Sequence, residues 1–259
     1  LLQVLKFNLD RKAQRVRVFE LGRVFLRDAS VANTDTTVEG FHQPMRVAGV
    51  AYGANDLLQR GRKEQGIDFF DVKGDVEAML APLRATFEPG THPAMHPGRC
   101  ARVLMNGKLI GHVGELHPQW RQSWELPQAP VLFELELDAV LQRAVPQFKA
   151  VAKHQAVERD LAIVVAERVT HSEVMAAVES AVPASLLRSA VLFDVYRPKA
   201  ARPGEEPAAG GAVAAGEKSL AVRLTLGSDG ASLTEAEIEA AVQAVVTQLV
   251  ARTGGRLRV

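Results

Sequence analysis

The stretch VERDLAIVVAERVTHSEVMAAVESA, residues 157–181, decides the fold of the second half of the chain. Its first ten residues alternate between the two sides of an extended chain with the period of two that is typical of a half-buried β-strand. Thr170 and Glu173 then have the spacing of a capping box, in which each side chain pairs with a backbone N–H group at the start of a helix. The stretch therefore predicts a strand followed by a helix. The apolar positions of this helix are Val174, Ala177, Val178 and Ala181.

A similar pattern continues to the end of the chain. Residues 189–197 and 220–226 alternate as strands, and Thr234 with Glu237 forms a second capping box ahead of an apolar helical pattern. Residues 256–259 can form a last short strand. The order strand, helix, strand, strand, helix, strand is the split βαβ, ferredoxin-like arrangement. Two helices should then cover one face of the sheet and leave the other face open.

Side-chain parity predicts which residues occupy the open face. Asp194 and Tyr196 should project from it, and Arg223 should share it. An exposed aromatic ring on an open sheet can stack on an unpaired base, each stack contributing about 1–3 kcal/mol. The alternative for Tyr196 is a ring packed at the sheet edge with its hydroxyl in water. The residues predicted to lie under the helices are Val191, Phe193, Val195, Leu220, Val222 and Leu224.

Three further cations, Arg159, Arg197 and Lys218, lie near predicted strand ends, where they can reach phosphate groups. The alternative for each of them is a solvated surface charge. With Tyr196 and Arg223 they complete the predicted RNA-binding set. The segment 199–216 is rich in Pro, Gly, Ala and Glu and has no periodicity, which predicts a mobile hairpin insertion.

The first half of the chain has its clearest signal at Asn106-Gly107, which lies between two apolar runs and supplies the positive φ angles of a two-residue hairpin turn. Pro146 closes this region, so the predicted domains are residues 1–146 and 147–259. Helical spacing is found in residues 1–15 and 71–81 and around Trp120, and strand-like patterns are found in residues 16–26, 45–52 and 131–137.

Composition limits the classes of function. Hydrophobic residues make up 47% of the 259 residues and charged residues 24%, which is typical of a soluble globular protein, and no apolar run approaches the roughly 20 residues needed to cross a bilayer. We therefore expect a cytoplasmic protein with no membrane partner. The net charge of +1 means that nucleic-acid binding would need a local arrangement of cations. The chain begins at Leu1, inside a helical pattern, so a fragment or processed chain is expected.

No motif predicts catalysis or metal binding. The acidic cluster Asp68, Asp71, Asp75 and Glu77 can be imagined around a divalent cation, but capping of the following helix is the favoured interpretation. The histidines lie beside prolines or alone, with no nucleophile and orienting acid nearby. We therefore assign no catalytic residue and no metal ligand.

The chain resembles, over essentially its whole length, the C-terminal portion of the β subunit of bacterial phenylalanyl-tRNA synthetases. The resemblance in the first half is carried by RVFELGRVF, DFFDVKGDVE, HPGR and IGHVGELHP, and in the second half by VERDLA, LFDVYR and EKSLA. The family usually has a short turn where this chain carries residues 199–216. These seven segments occur in the family's order and with its spacing.

The resemblance implies an α+β chain. Residues 1–146 would be a degenerate class II synthetase-like catalytic domain, an antiparallel sheet with flanking helices that performs no chemistry and supports the catalytic α subunit. Residues 147–259 would be a ferredoxin-fold anticodon-binding domain that contacts tRNA(Phe). The assembly would be (αβ)2, and its ATP and Mg²⁺ would not be bound by this segment. The alternatives are a non-synthetase RNA-binding or scaffold protein with the same fold, and a metal-dependent enzyme built on the acidic cluster.

Overall fold

The structure is a computed structural model that describes residues 1–61, 63–143, 145, 148, 153–198 and 213–258. The chain divides into two compact units, Leu1–Gln147 and Phe148–Val259. Most of the predicted insertion, residues 199–212, lies outside the described residues. Within the part of the chain that is described, no helix has both the length and the apolar character needed to cross a membrane.

The first unit is an antiparallel sheet with helices packed against it. Its strands are β1 (Arg15–Arg23), β2 (Leu26–Arg27), β3 (Phe41–His42), β4 (Met45–Gly53), β5 (Thr86–Pro89), β6 (Met95–Met105), β7 (Lys108–Leu116) and β8 (Val131–Glu136). Its helices are α1 (Leu2–Asp10), α2 (Phe69–Leu80), α3 (Pro118–Ser123) and α4 (Leu137–Val140).

Six of these strands form one sheet in the order β1-β4-β8-β7-β6-β5, with every neighbouring pair antiparallel. Strands β2 and β3 pair separately as a small hairpin. The turn between β6 and β7 has φ angles of 52° at Asn106 and 78° at Gly107, so the predicted hairpin is confirmed. Among the described strands, β1 pairs only with β4 and lies at an edge of the sheet.

Both faces of this sheet pack against helices. On one face Val72 and Val76 of α2 lie in a core with Val103 and Leu135 of the strands. On the other face Leu5 of α1 packs in a separate core formed by β1, β4 and their neighbours. The alternation of β4 explains the division, since its odd-numbered residues face α2 and its even-numbered residues face α1.

The second unit has the predicted ferredoxin-like topology. Its sheet has the order β10-β11-β9-β12, and all of its pairings are antiparallel. Both helices begin at the predicted capping boxes, Thr170 with Glu173 and Thr234 with Glu237. The elements are β9 (Val157–Ala166), α5 (His171–Ala181), β10 (Leu187–Tyr196), β11 (Glu217–Leu226), α6 (Glu235–Thr253) and β12 (Arg256–Leu257).

One face of this second sheet carries the core. Leu161, Leu224 and Leu226 of the strands pack against Val178 of α5 and Leu249 of α6. Both helices lie on this side, and no helix among the described residues of the unit covers the opposite side of the sheet. We call it the open face.

Candidate nucleic-acid interface

The open face is defined by cross-strand pairs, because directly opposed residues in an antiparallel sheet point to the same side. Arg223 of β11 lies opposite Asp160 of β9 and Val191 of β10, and Ser219 lies opposite Tyr196. The described strand residues of the open face are Glu158, Asp160, Ala162, Val164, Ser189, Val191, Phe193, Asp194, Tyr196, Ser219, Ala221, Arg223 and Thr225.

A β-bulge in β10 decides which of its side chains reach this face. Leu192 pairs with Val222 and Asp194 pairs with Ala221, so Phe193 is an extra residue without a partner in β11. Because of an extra residue, the side chains that follow it point to the opposite face from the one that regular alternation along the preceding part of the strand would predict. The side-chain parity read from one end of β10 therefore does not apply at the other end.

The bulge explains why some of the side-chain placements predicted for β10 are wrong and another is confirmed. Val191 is 53% exposed and Phe193 is 51% exposed, so the prediction that they lie under the helices was wrong. Ala190 and Leu192 pack against the core in their place. After the bulge, Val195 pairs with the core residue Leu220, but it is 37% exposed, so its predicted burial under the helices was wrong. The placement of Tyr196 on the open face is confirmed by its pairing with Ser219.

Tyr196 is half-exposed at one end of the open face, with 46% of its surface accessible. The guanidinium carbon of Arg258 lies 5.1 Å from the centre of its ring, a cation–π geometry. Arg258 belongs to the residues that follow β12, and its backbone N–H donates to the carbonyl oxygen of Ala162 at 2.8 Å. The ring is therefore presented at the surface with a cation beside it.

Arg223 is fixed near the middle of the face by two carboxylates. Its Nε and Nη2 donate to the two carboxylate oxygens of Asp160, each at 2.8 Å, and its Nη1 lies 3.4 Å from Glu158. The hydrogen bonds from Arg223 lower the pKa of Asp160, and the same bonds raise the pKa of Arg223 above its ordinary value. The guanidinium carbon also lies 5.3 Å from the centre of the Phe193 ring.

The other three predicted residues lie elsewhere. Arg159 has the parity of the core residue Leu161, and it pairs with Glu235 of α6 at 2.8 Å, on the side of the helices. Arg197 pairs with Glu167 at 2.9 Å, just beyond the end of β9. Lys218 is only 9% exposed, and its Nζ donates to the carbonyl oxygen of Glu167 at 2.8 Å. The structure therefore brings Tyr196 and Arg223 together on one face, and it brings Arg197 and Lys218 together at Glu167.

Two residues of the face were missed by the sequence analysis. Phe193 had been placed in the core, and no local signal in the sequence indicates the bulge that turns it outward. Arg258 follows the last predicted helix, and its contact with Tyr196 depends on the pairing of β12 with β9. Neighbouring Arg256 pairs with Glu217, and these hydrogen bonds lower the pKa of that carboxyl to about 2.

The acidic cluster of the first unit has a structural role, as the favoured interpretation predicted. The Asp68 side chain caps α2 by accepting from the backbone N–H groups of Phe70 and Asp71, and Asp71 accepts in return from the N–H of Asp68. Asp75 pairs with Arg17 of β1. Among the described residues, no group of three His, Cys, Asp or Glu side chains is placed to hold a metal ion.

The histidines of the first unit are also used structurally. The Nδ1 atoms of His92, His96 and His117 each accept a hydrogen bond from the backbone N–H two residues later. The rings of His112 and His92 lie with their centres 5.1 Å apart and are tilted by 45°, and burial lowers the pKa of His112. These contacts fix turns and strand packing.

Two family models match the chain. A model described as the phenylalanyl tRNA synthetase beta chain CLM domain matches residues 1–137, and a model described as the ferredoxin-fold anticodon binding domain matches residues 152–258. The second match coincides with the unit that carries the open face.

Relatives match the whole chain. Phenylalanine–tRNA ligase beta subunits from Cupriavidus pinatubonensis and Ralstonia nicotianae are 47% and 46% identical over 262 residues, covering 100% of this chain and 31% of each relative. The beta subunit from Chromobacterium violaceum is 42% identical over 259 residues, covering 100% of this chain and 30% of the relative. The chain thus spans about a third of the length of the relatives it matches.

One solved structure, a pyrrolysyl tRNA synthetase from Desulfitobacterium hafniense, aligns with a TM-score of 0.34 and 12% identity over 53% of this chain and 44% of the other. A similarity of this size supports no conclusion about the fold.

Proposed function

The chain belongs to the phenylalanyl-tRNA synthetase β-chain family, whose model covers more than half of it, and from this premise we propose that it acts as part of a phenylalanine–tRNA ligase. In that role the second unit binds the anticodon region of tRNA(Phe), and the first unit supports a catalytic α subunit. The chain itself carries no catalytic group in this proposal. A non-synthetase RNA-binding protein is not favoured, because relatives match the first unit as well as the second.

The observation that carries the proposal is the open face of the unit that matches an anticodon-binding family. The face presents the ring of Tyr196 and the guanidinium of Arg223 on the side of the sheet that is left uncovered by the helices of the described part of the unit. Anticodon bases are unpaired in a free tRNA, and unpaired bases are recognised by stacking on aromatic rings and by contact with arginines.

The five predicted residues then have different roles. Tyr196 stacks on a base, and Arg223 contacts a base or a phosphate from a position that Asp160 holds in advance. Arg159 and Arg197 contact phosphates only by exchanging their present carboxylate partners. Lys218 is the least accessible of the five, so its predicted contact with RNA requires the largest rearrangement.

For the first unit we propose a degenerate class II synthetase-like domain, residues 1–146, followed by the anticodon-binding domain, residues 147–259. A six-stranded antiparallel sheet with helices on both faces supports this assignment. ATP and Mg²⁺ would be bound by the α subunit of an (αβ)2 assembly.

The edge of the first sheet is the proposed docking site for the α subunit. Phe19 and Leu21 of the edge strand β1 are 71% and 53% exposed, and Phe25 follows them with a largely exposed ring. Exposed apolar side chains on an unpaired strand edge are an aggregation risk for a lone chain and are typical of a protein interface. A large partner that covers this edge would remove that risk.

The test is Tyr196→Ala in the assembled ligase. Loss of one stack should raise the KM for tRNA(Phe) by about 5-fold to about 100-fold, because a stacked base contributes about 1–3 kcal/mol. Activation of phenylalanine by ATP should stay within about two-fold of the unmodified enzyme. Tyr196→Phe, which keeps the ring, is the matched control and should leave the KM for tRNA nearly unchanged. An unchanged KM in Tyr196→Ala would remove Tyr196 from the site, and a lost activation step would contradict the division of labour.

A further inference from the structure

We propose that Phe193 is a second stacking platform on the open face, so that the face holds two unpaired bases, one on Phe193 and one on Tyr196. This inference rests on the proposed RNA-binding function of the face. It adds a residue that side-chain parity assigned to the core and a second position for the ligand.

The first support is the exposure of the Phe193 ring. Counted back from Tyr196 in a regular ladder, the ring would lie among the core side chains, but the extra residue gives Phe193 the parity of Val191 and places the ring on the open face, where half of its surface is accessible. Exposing an aromatic ring gives up burial that stabilises a fold by roughly 25 cal/mol per Å² of apolar surface. β-Bulges often reorient a side chain at functional sites. The energetic cost is offset if a ligand covers the ring.

The second support is the similarity of the two aromatic positions. A guanidinium carbon lies 5.1 Å from the Tyr196 ring centre and another lies 5.3 Å from the Phe193 ring centre. Both distances lie within the ~6 Å of a cation–π contact, so each ring already has a guanidinium beside it. A base can stack on the exposed part of each ring, next to that guanidinium. Each ring with its arginine thus forms a site for one flat aromatic ligand.

The third support is the position of Arg223. Two hydrogen bonds to Asp160 and the 3.4 Å approach of Glu158 orient its guanidinium beside Phe193. These carboxylates cancel its charge in part, which disfavours a phosphate and favours a neutral base as the ligand at this position. Arg258 lies at the Tyr196 end, where its positive charge is better suited to the RNA backbone.

The spacing of the two rings fits two separate bases. Phe193 and Tyr196 are three residues apart on one strand, roughly 10 Å at about 3.3 Å per residue and somewhat less across a bulge. This exceeds the ~3.4 Å that one stacked base occupies. Two nucleotides of a splayed single strand can therefore occupy the two rings at the same time.

The experiment measures the Kd of the assembled ligase for tRNA(Phe) with Phe193→Leu, which keeps an apolar side chain and removes the aromatic face. We expect Kd to rise about five-fold or more. Val191→Ala is the matched control, since Val191 lies on the same face with nearly equal exposure and has no ring. It should change Kd less than two-fold. The thermal unfolding midpoint of each variant is measured to confirm that the unit is folded.

A second arm identifies the base. Each unpaired anticodon-loop nucleotide of the tRNA is replaced in turn by an abasic nucleotide, and Kd is measured with the Phe193→Leu and Tyr196→Ala enzymes. The effect of each variant should vanish at one abasic position, and the two positions should differ. Vanishing at the same position for both variants would overturn the proposal of two bases.

The outcomes separate this inference from the proposed function. If Tyr196→Ala weakens tRNA binding and Phe193→Leu does not, the proposal that Phe193 is a stacking platform is wrong, and the proposal that the open face binds RNA is retained. If neither variant changes Kd, both proposals fail. An equal loss in Val191→Ala and Phe193→Leu would assign the effect to the shape of the strand and overturn the role of the ring.

Discussion

The sheet of the first unit packs against helices on both faces, whereas the sheet of the second unit carries both of its helices on one face. The exposed large apolar side chains follow this difference. In the first unit they include Phe19 and Leu21 at the edge strand, and in the second unit they include Val191, Phe193 and Tyr196 on the face.

The comparison shows that packing decides which part of a sheet remains available for binding. A sheet covered on both sides offers its edge, which is suited to another protein chain through strand contacts and apolar side chains. A sheet covered on one side offers a broad surface, which is suited to flat rings and to the bases that stack on them. The two proposed partners, an α subunit and a tRNA, correspond to these two kinds of surface.

The largest expected loss of stability comes from a substitution in the core between the second sheet and its helices. Leu224→Ala removes a fully buried side chain from the core and should lower the free energy of unfolding of the second unit by about 2–5 kcal/mol. Val191→Ala, on the neighbouring strand and the open face, should change it by less than about 1 kcal/mol. Urea unfolding of the chain followed by far-UV circular dichroism measures both variants. Equal losses would mean that the two faces are not packed differently.

The corresponding change in the first unit is Gly111→Ala. A Cβ atom at this position would lie 2.0 Å from the backbone oxygen of Glu134 on β8, so the β7–β8 pairing must distort, at a cost of about 1–3 kcal/mol or more. Trp120 and Trp124 are the two tryptophans of the sequence, and both belong to the first unit. Their fluorescence should therefore report a lower unfolding midpoint for Gly111→Ala.

Leu224→Ala should leave the midpoint of the tryptophan fluorescence transition unchanged if the two units unfold separately. If Leu224→Ala shifts the fluorescence midpoint as much as the circular dichroism midpoint, the two units unfold together. Gly107→Ala, in the hairpin turn, is a control with open space around the added methyl group, although its φ of 78° still disfavours alanine.

A smaller effect concerns the start of helix α5 in the second unit. Thr170→Ala removes the side chain that accepts from the N–H of Glu173 at the start of α5, which should cost about 1 kcal/mol. Thr170→Ser keeps the hydroxyl and should recover most of that loss. The measurement is the urea midpoint by circular dichroism, and identical midpoints for the Ala and Ser variants would exclude a capping contribution.

The smallest effect is the pH dependence of the Tyr196 end of the second unit. Because the pKa of Glu217 is lowered to about 2 in the folded chain by Arg256, its contribution to stability is present above the ordinary pKa near 4.5. It should be lost as the pH falls from about 4.5 toward about 2. Glu217→Gln should therefore reduce the fall of the unfolding midpoint over this interval, compared with the unmodified chain. A variant with the same acid dependence would show that the pair does not contribute.

Local signals predicted much of this structure. The capping boxes at Thr170 and Thr234 and the turn at Asn106-Gly107 depend on residues within four positions of each other, and all three are found where the sequence places them. The parity of β10 was mispredicted because the bulge at Phe193 arises from pairing with β11, which is distant in sequence. Pattern rules assume a regular strand and cannot detect an extra residue in the ladder.

In the candidate site, too, local patterns predict only what depends on neighbouring residues. Tyr196 and Arg223 were placed on one face because each lies in a regular segment of its strand. The burial of Lys218 and the contact of Arg258 with Tyr196 depend on how the strand ends meet Glu167 and β12. These contacts join residues far apart along the chain, so no local pattern reports them.

The most direct test of the account is ultraviolet cross-linking of tRNA(Phe) to the assembled ligase, with the cross-linked peptides identified by mass spectrometry. Unpaired bases stacked on aromatic rings should cross-link to peptides that contain β10, at Tyr196 and Phe193, and Tyr196→Ala should remove the first of these cross-links. Cross-links confined to α5 and α6, on the other side of the sheet, would contradict the proposal that the open face binds the RNA.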